Sequence, residues 1–122
     1  MPIIHSLGIT DDCVFCNRIC FKNGEYIGFE RELPINQPSG KRGIIQDFMQ
    51  QHHITNAVMV GDGSTDLETL PVVDCFIGYG GVVERPIVKE KASAFITSFE
   101  ELHSLYSTLY RVCNKHWNYE RI

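Results

Sequence analysis

The stretch from Asn56 to Pro71, NAVMVGDGSTDLETLP, decides the fold. Ala57, Val58, Met59 and Val60 form a short apolar run without polar alternation, the pattern of a strand covered on both faces in a parallel sheet. Gly61, Asp62 and Gly63 follow as a tight turn. Glycine on either side of Asp62 lets another group, or an ion, approach the backbone closely. Thr65 and Glu68 have the spacing of a capping box, which predicts a helix start, and Pro71 ends that helix after one or two turns. Two carboxylates, Asp62 and Asp66, thus stand where a strand hands over to a helix, the edge at which open α/β sheets bind ligands. Two readings fit them. As hard oxygen donors they suit magnesium, which takes one or two carboxylates with water and phosphate oxygens. Alternatively, Asp62 is a turn residue and Asp66 a first-turn acid facing the helix dipole.

Working outward from this stretch, residues 75–79 predict a second covered strand. Gly80 and Gly81 begin a loop at the same sheet edge as Asp62, an exit calling for unusual backbone angles. Pro86 opens a short helix over 86–92, and residues 94–97 predict a third parallel strand. Ser98 and Glu101 form a capping box ahead of an amphipathic helix carrying Phe99, Leu102, Tyr106, Leu109, Tyr110 and Cys113. Residues 114–122 hold Trp117 and Tyr119 without a period and are expected either to pack down or to fray as a loose tail.

Upstream, residues 41–52 predict a helix with Ile44, Ile45, Phe48 and Met49 as its buried stripe. Lys41 and Arg42 fall in its first turn, where the dipole disfavours cations. A lysine there makes sense if an anion arrives to share both fields; otherwise it is a solvated loop lysine. His52 and His53 read as a surface helix end. Residues 30–40, with Pro34, Pro38, Ser39 and Gly40, read as a surface loop. Asn23-Gly24 is a strong hairpin signal, joining a strand over 13–22 to one over 25–29. Cys13, Cys16 and Cys20 lie on the first of these. Zinc sites repeat a paired CxxC or add histidines at fixed spacing, so buried free thiols are expected instead. Asp11 and Asp12 read as loop residues. Residues 1–8 look like the last turns of a helix stopped by Gly8, and a domain starting inside a helix suggests further sequence upstream.

Composition sets outer limits. The chain of 122 residues is one domain at most. Its apolar fraction of 43% is that of an ordinary globular chain. A net charge of −4 implies no basic face, which excludes a nucleic-acid partner as an expectation. No apolar run approaches the length of a membrane span. Five cysteines without a repeated framework favour reduced thiols and a cytoplasmic setting.

The segment from Gly61 to Asp66 resembles motif IV of the haloacid dehalogenase superfamily of phosphatases. Asp74 to Gly81, then Arg85, Val88, Lys89 and Phe95 to Thr97, are similar in order and spacing to eukaryotic-type phosphoserine phosphatases. Asn17, Arg18, the run from Asn23 to Tyr26, and Gly40-Lys41 extend the likeness. It runs from about Leu7 to Leu105 and covers only that family's C-terminal half. The resemblance implies a partial Rossmann-like core over residues 1–122, three-layer α/β/α with parallel strands plus a β-hairpin, lacking the nucleophile strand and the helical cap. It also implies phosphate-ester hydrolysis through an aspartyl-phosphate with Mg2+ as cofactor and a phosphoserine-like small molecule as substrate. Asp62 would be the metal-ligand carboxylate, and Asp66 would hold a metal-bound water or orient its neighbours. Lys41, matching the motif III lysine, would stabilise phosphoryl charge, and Thr65 would bind substrate or phosphate.

The family's nucleophile lies in an Asp-x-Asp motif, and none of Asp11, Asp12, Asp47, Asp62, Asp66 or Asp74 has that context. The isolated chain is therefore expected to be inactive. Its open sheet edge is expected to drive self-association, pairing with an N-terminal half, or a shift of its own hairpin into the gap. Three functional classes follow: a phosphoserine phosphatase half, a non-catalytic magnesium- or phosphate-binding module with a protein partner, and, most distantly, a receiver-like phosphorylation domain.

Overall fold

The computed structural model describes residues 2–113, with side chains through residue 108. Helix α1 (Pro2–Ser6) stops as expected. Gly8 takes φ +74°, and the Ile9 N–H closes back on the Ile4 carbonyl. Strand β1 (Ile19–Lys22) pairs antiparallel with β2 (Glu25–Phe29). The turn uses left-handed backbone at both Asn23 and Gly24, the geometry that matches the twist of the flanking strands.

The first strand is much shorter than residues 13–22. Asp11–Cys13 form a 3-10 turn and residues 14–18 are irregular. β2 offers partners only from Ile19↔Phe29 to Lys22↔Glu25, so the rest of the β-prone run has no ladder to join. The thiols change accordingly: Cys13 and Cys16 are exposed and Cys20 is half-buried, all free. By register, Ile19, Phe21, Tyr26 and Phe29 share one hairpin face, and all four are exposed.

Helix α2 (Gly40–Gln51) begins one residue before Lys41. Its apolar stripe is half-buried rather than buried; Phe48 meets the Phe15 ring edge-on at 5.8 Å. Strand β3 (Val58–Gly61) then enters a three-stranded parallel sheet with β4 (Cys75–Tyr79) and β5 (Ala94–Ile96), in the order β3-β4-β5. The middle strand alone is deeply covered, with Phe76 and Ile77 at 0% exposure. β3 is an edge, with no second neighbour among the described residues, so Val58 is 36% exposed and the expectation of a strand covered on both faces does not hold for it. Nor does the hairpin move into that gap; it forms a sheet of its own. The Asp74 carboxylate extends the β3–β4 register by accepting from the Ala57 N–H at 2.7 Å.

Helix α3 (Ser64–Leu67) follows β3, α4 (Pro86–Lys91) follows β4, and α5 (Phe99–Cys113) follows β5. Val88 of α4 and Ile96 of β5 complete the fully buried apolar core among the described residues. Gly80 and Gly81 do not adopt positive φ. They are there for room: a Cβ at Gly80 would overlap the Phe95 ring, and one at Gly81 the Tyr79 ring and hydroxyl. The cap of α5 is as expected, with the Glu101 N–H donating to the Ser98 hydroxyl oxygen at 3.3 Å and the Thr97 hydroxyl to Glu101 Oε1 at 2.8 Å. On α5, Leu102 is half-buried while Phe99 and Tyr106 stay exposed, Phe99 stacking on Tyr79 with centroids 4.8 Å apart. The side chains of Leu109, Tyr110 and Cys113, and the expected tail over 114–122, lie outside the described residues.

So small a core makes each member count. Phe76→Ala is expected to cost about 3–5 kcal/mol, a large part of a domain's ~5–15 kcal/mol. Phe21→Ala, on the exposed hairpin face, is expected to cost about 1 kcal/mol or less. Urea unfolding midpoints of the two variants check the contrast.

Candidate functional site

The site forms where β3 ends. Val60 and Gly61 deliver the chain to the sheet's carboxyl edge, and the backbone turns at once into α3. The residue that closes this turn is Asp66. Its side chain is 7% exposed, and a buried carboxylate survives only if its oxygens are satisfied. Oδ2 accepts from the Asp62 N–H at 3.1 Å and the Gly63 N–H at 3.0 Å. Oδ1 accepts from Lys41 Nζ at 2.5 Å. The expected Thr65–Glu68 capping box is not what starts the helix. Gly63 is the N-cap, and Asp66, three residues on, reaches back to its N–H. An acid that can also pair with Lys41 gains more from that position than a longer side chain beginning at residue 68.

Gly61 permits the arrangement. A Cβ at this position would overlap the Asp66 side chain, so the group that approaches the backbone here is the protein's own carboxylate. Gly63 has no such requirement, since a Cβ there would meet Asp66 Oδ2 at an ordinary 3.5 Å. Beneath, the Thr69 hydroxyl, fully buried, donates to the Asp66 carbonyl at 2.6 Å and fixes the end of α3.

Lys41 comes from 25 residues upstream in sequence. It is held at the start of α2 by tight packing of the preceding loop: Gly40 is buried and a Cβ on it would overlap the Pro34 carbonyl oxygen. Ser39, the N-cap of α2, sits in left-handed backbone at φ +55°, uncommon for a residue with a side chain. Asn36 ties this loop down, its Nδ2 donating to the Glu30 carbonyl at 2.7 Å and to Asn17 Oδ1 at 2.9 Å.

The four sequence-predicted residues are thus distributed unevenly. Lys41 and Asp66 are in direct contact. Asp62 joins them through its backbone N–H, while its carboxylate is exposed and makes no hydrogen bond or ion pair among the described residues. Thr65 is exposed and shares with Lys41 a cleft of about 300 Å³, bounded by the loop from Ile35 to Gly40 and by Glu68. The sequence reading missed the cleft wall. Its signal was a polar Asn36-Gln37 pair inside a proline-bracketed loop, and Glu68 was assigned to a cap instead. For a hard divalent cation, the unengaged carboxylate of Asp62 fits as one oxygen ligand, the rest being water and phosphate oxygens. Asp66 has both oxygens engaged and fits as the group that orients its surroundings. Among the described residues no cluster of three or more His, Cys, Asp or Glu converges on a metal position.

This topology, a parallel sheet with a carboxylate-bearing turn at its edge, is similar to that of haloacid dehalogenase-type phosphatase cores. A solved phosphoserine phosphatase with bound substrate superposes on 85% of the chain with a TM-score of 0.71 at 26% identity, the match covering 49% of the solved chain. Phosphoserine phosphatase from Bos taurus is 44% identical over 101 residues, 82% of this chain and 45% of the relative. That from Drosophila melanogaster is 37% identical over 103 residues, 83% of this chain and 38% of the relative. No family model matches the chain. By sequence and by fold, the chain is a relative of the eukaryotic phosphoserine phosphatases. It spans about half the length of the curated relatives it matches.

The packing predicts a pair of opposite results. Gly61→Ala is expected to displace Asp66 and cost about 1–3 kcal/mol by overpacking, while Gly63→Ala stays within about 1 kcal/mol. Asp66→Ala strands two backbone donors and an ammonium and is expected to cost about 1.5–3 kcal/mol. Guanidinium unfolding of the three variants measures all of this.

Proposed function

We propose that the chain is the metal- and phosphate-supporting part, the C-terminal half, of a phosphoserine phosphatase, and that it does not turn over phosphoserine unaided. The observation that carries the reading is the contact between Lys41 and the buried Asp66, which ties the start of α2 to the turn bearing Asp62. The names of the curated relatives support the substrate class, a small phosphate monoester of an amino acid.

In this reading Asp62 supplies a carboxylate to Mg2+, which when bound neutralises phosphoryl oxygens and polarises the phosphorus. Asp66 takes no part in bonding to the substrate. It fixes the Asp62–Gly63 backbone and holds Lys41 in place, so that the ammonium is already aimed when charge builds on the phosphoryl group. Thr65, which lines the same cleft as Lys41, offers a hydroxyl to a phosphate oxygen. The attacking carboxylate is not among these residues, and loss of a nucleophile alone costs about a million-fold in rate.

The edge of β3, which has no second neighbour among the described residues, supports a companion proposal, that this edge takes up a strand from an N-terminal half or a second copy of the chain. That same edge favours the second reading, a non-catalytic binding module that keeps its phosphate or magnesium affinity and uses the edge for a protein partner. The free thiols at Cys13, Cys16, Cys20 and Cys75 support a reducing, cytoplasmic setting.

Phosphate release from O-phosphoserine separates the alternatives. The chain alone with Mg2+ is expected to release none. With the part of the Bos taurus relative that it does not span added in trans, release is expected to appear and to fall at least a hundred-fold in Asp62→Asn. Turnover by the highly purified chain alone, abolished in Asp62→Asn, would overturn the claim of inactivity; silence in the complemented mixture would favour the binding module.

A further inference from the structure

Residues 14–18 form an edge that no strand covers among the described residues. The run Val-Phe-Cys-Asn-Arg leads straight into β1, and Val14 sits in extended backbone at φ −116° and ψ 118°. The Arg18 carbonyl accepts from the Glu30 N–H at 2.9 Å, so Arg18 faces the β2 side. Alternate residues of an extended chain turn their backbone groups to opposite edges. Phe15 and Asn17 therefore turn theirs away from β2, and their N–H and C=O groups make no hydrogen bond among the described residues. The same run forms one wall of a groove of about 760 Å³, with Leu33 and, from α2, Ile44, Asp47 and Phe48 around it. Asp47 is exposed and makes no hydrogen bond or ion pair among the described residues. Arg18 touches Glu30 through one nitrogen at 3.3 Å and is otherwise largely exposed.

We infer that this groove seats a second copy of the chain, which lays its own residues 14–18 antiparallel along the edge about a two-fold axis at Cys16. Such an interface is self-complementary, the same patch serving both copies. The free backbone groups favour this occupant. In that register Phe15 of each copy stands opposite Asn17 of the other, and their N–H and C=O groups exchange bonds in both directions. Charge favours the antiparallel sense. The run carries Arg18 at one end and follows the turn with Asp11 and Asp12 at the other, in a groove where Asp47 is unpaired. Antiparallel alignment brings each cation to the acidic end of the other copy, whereas parallel alignment would set Arg18 against Arg18. Cys16, exposed and free, then meets its own counterpart in a pair without hydrogen bonds, with Cα atoms about 4.5 Å apart. This surface is separate from the edge of β3, and nothing in the inference depends on the phosphate or metal reading.

Sedimentation velocity of the full chain under reducing conditions is expected to show a dimer whose share grows with concentration. Diamide is then added. It takes two electrons and two protons from a pair of thiols, and the expected product is a dimer linked from Cys16 to Cys16, identified by peptide mass mapping. Cys16→Ser is expected to lose that link, while Cys13→Ser and Cys20→Ser keep it. Cys16→Lys sets two ammonium groups face to face at the axis and is expected to weaken the reduced dimer about fivefold or more. Cys16 is exposed, so the fold should stand, and the thermal midpoint checks this; should the midpoint fall, the Cys16 link decides alone. A disulfide formed through another cysteine, or a reduced dimer as strong in Cys16→Lys as in the parent chain, gives the contact to another surface such as the edge of β3 and overturns the inference. So does a chain that stays monomeric and whose Phe15 and Asn17 amides gain exchange protection only when the part of the Bos taurus relative that it does not span is added.

Discussion

One buried carboxylate organises this end of the molecule. Asp66 has nearly left solvent, and the cost of dehydrating an anion is met only because three donors reach it, two from its own turn and one from 25 residues upstream. Remove any of them and the others lose their reason to be where they are. The turn after β3 is tight because Asp66 gathers the N–H groups of Asp62 and Gly63. The start of α2 is pinned because Lys41 ends on the same carboxylate. Gly61 and Gly40 are the openings through which these approaches happen. All of these contacts converge on one side chain, and both of its oxygens are occupied by them.

The division of labour between Asp62 and Asp66 follows from that occupancy. The two acids are four residues apart in one short motif, and their spacing alone does not distinguish them. Geometry does. One is sealed and saturated, the other open to solvent with both oxygens available. What this turn presents to solvent is the carboxylate of Asp62, while the ammonium of Lys41 is held by the sealed one.

Much of the architecture could be read along the chain. Residues 25–29 and 75–79 are strands at the predicted bounds, the turn at Asn23-Gly24 is where its dipeptide puts it, and the helix carrying Lys41 starts within one residue of its expected place. These are local properties, set by turn chemistry, periodicity and caps. What failed depended on neighbours. Residues 13–18 have the composition of a strand but no partner to pair with. The run before Gly61 looks buried on both faces, yet lies at the sheet's edge, and its exposure is decided by what stands beside it. Thr65 and Glu68 matched a capping pattern, but Asp66 was the better-placed acid once Lys41 came within reach. The contact between Lys41 and Asp66 joins residues 25 apart and is set by the tertiary fold, so no local pattern announces it; the wall of the cleft, made of loop backbone, left almost no trace in residue types.

The hairpin stands apart from the three-stranded sheet, anchored at its base by Asn17, Glu30 and Asn36. Two strands without a covering layer hold little free energy of their own. Thermal motion should therefore melt β1 and β2 while the central sheet persists, so this is a chain that unravels in stages, and its amide protons should exchange with heavy water in that order.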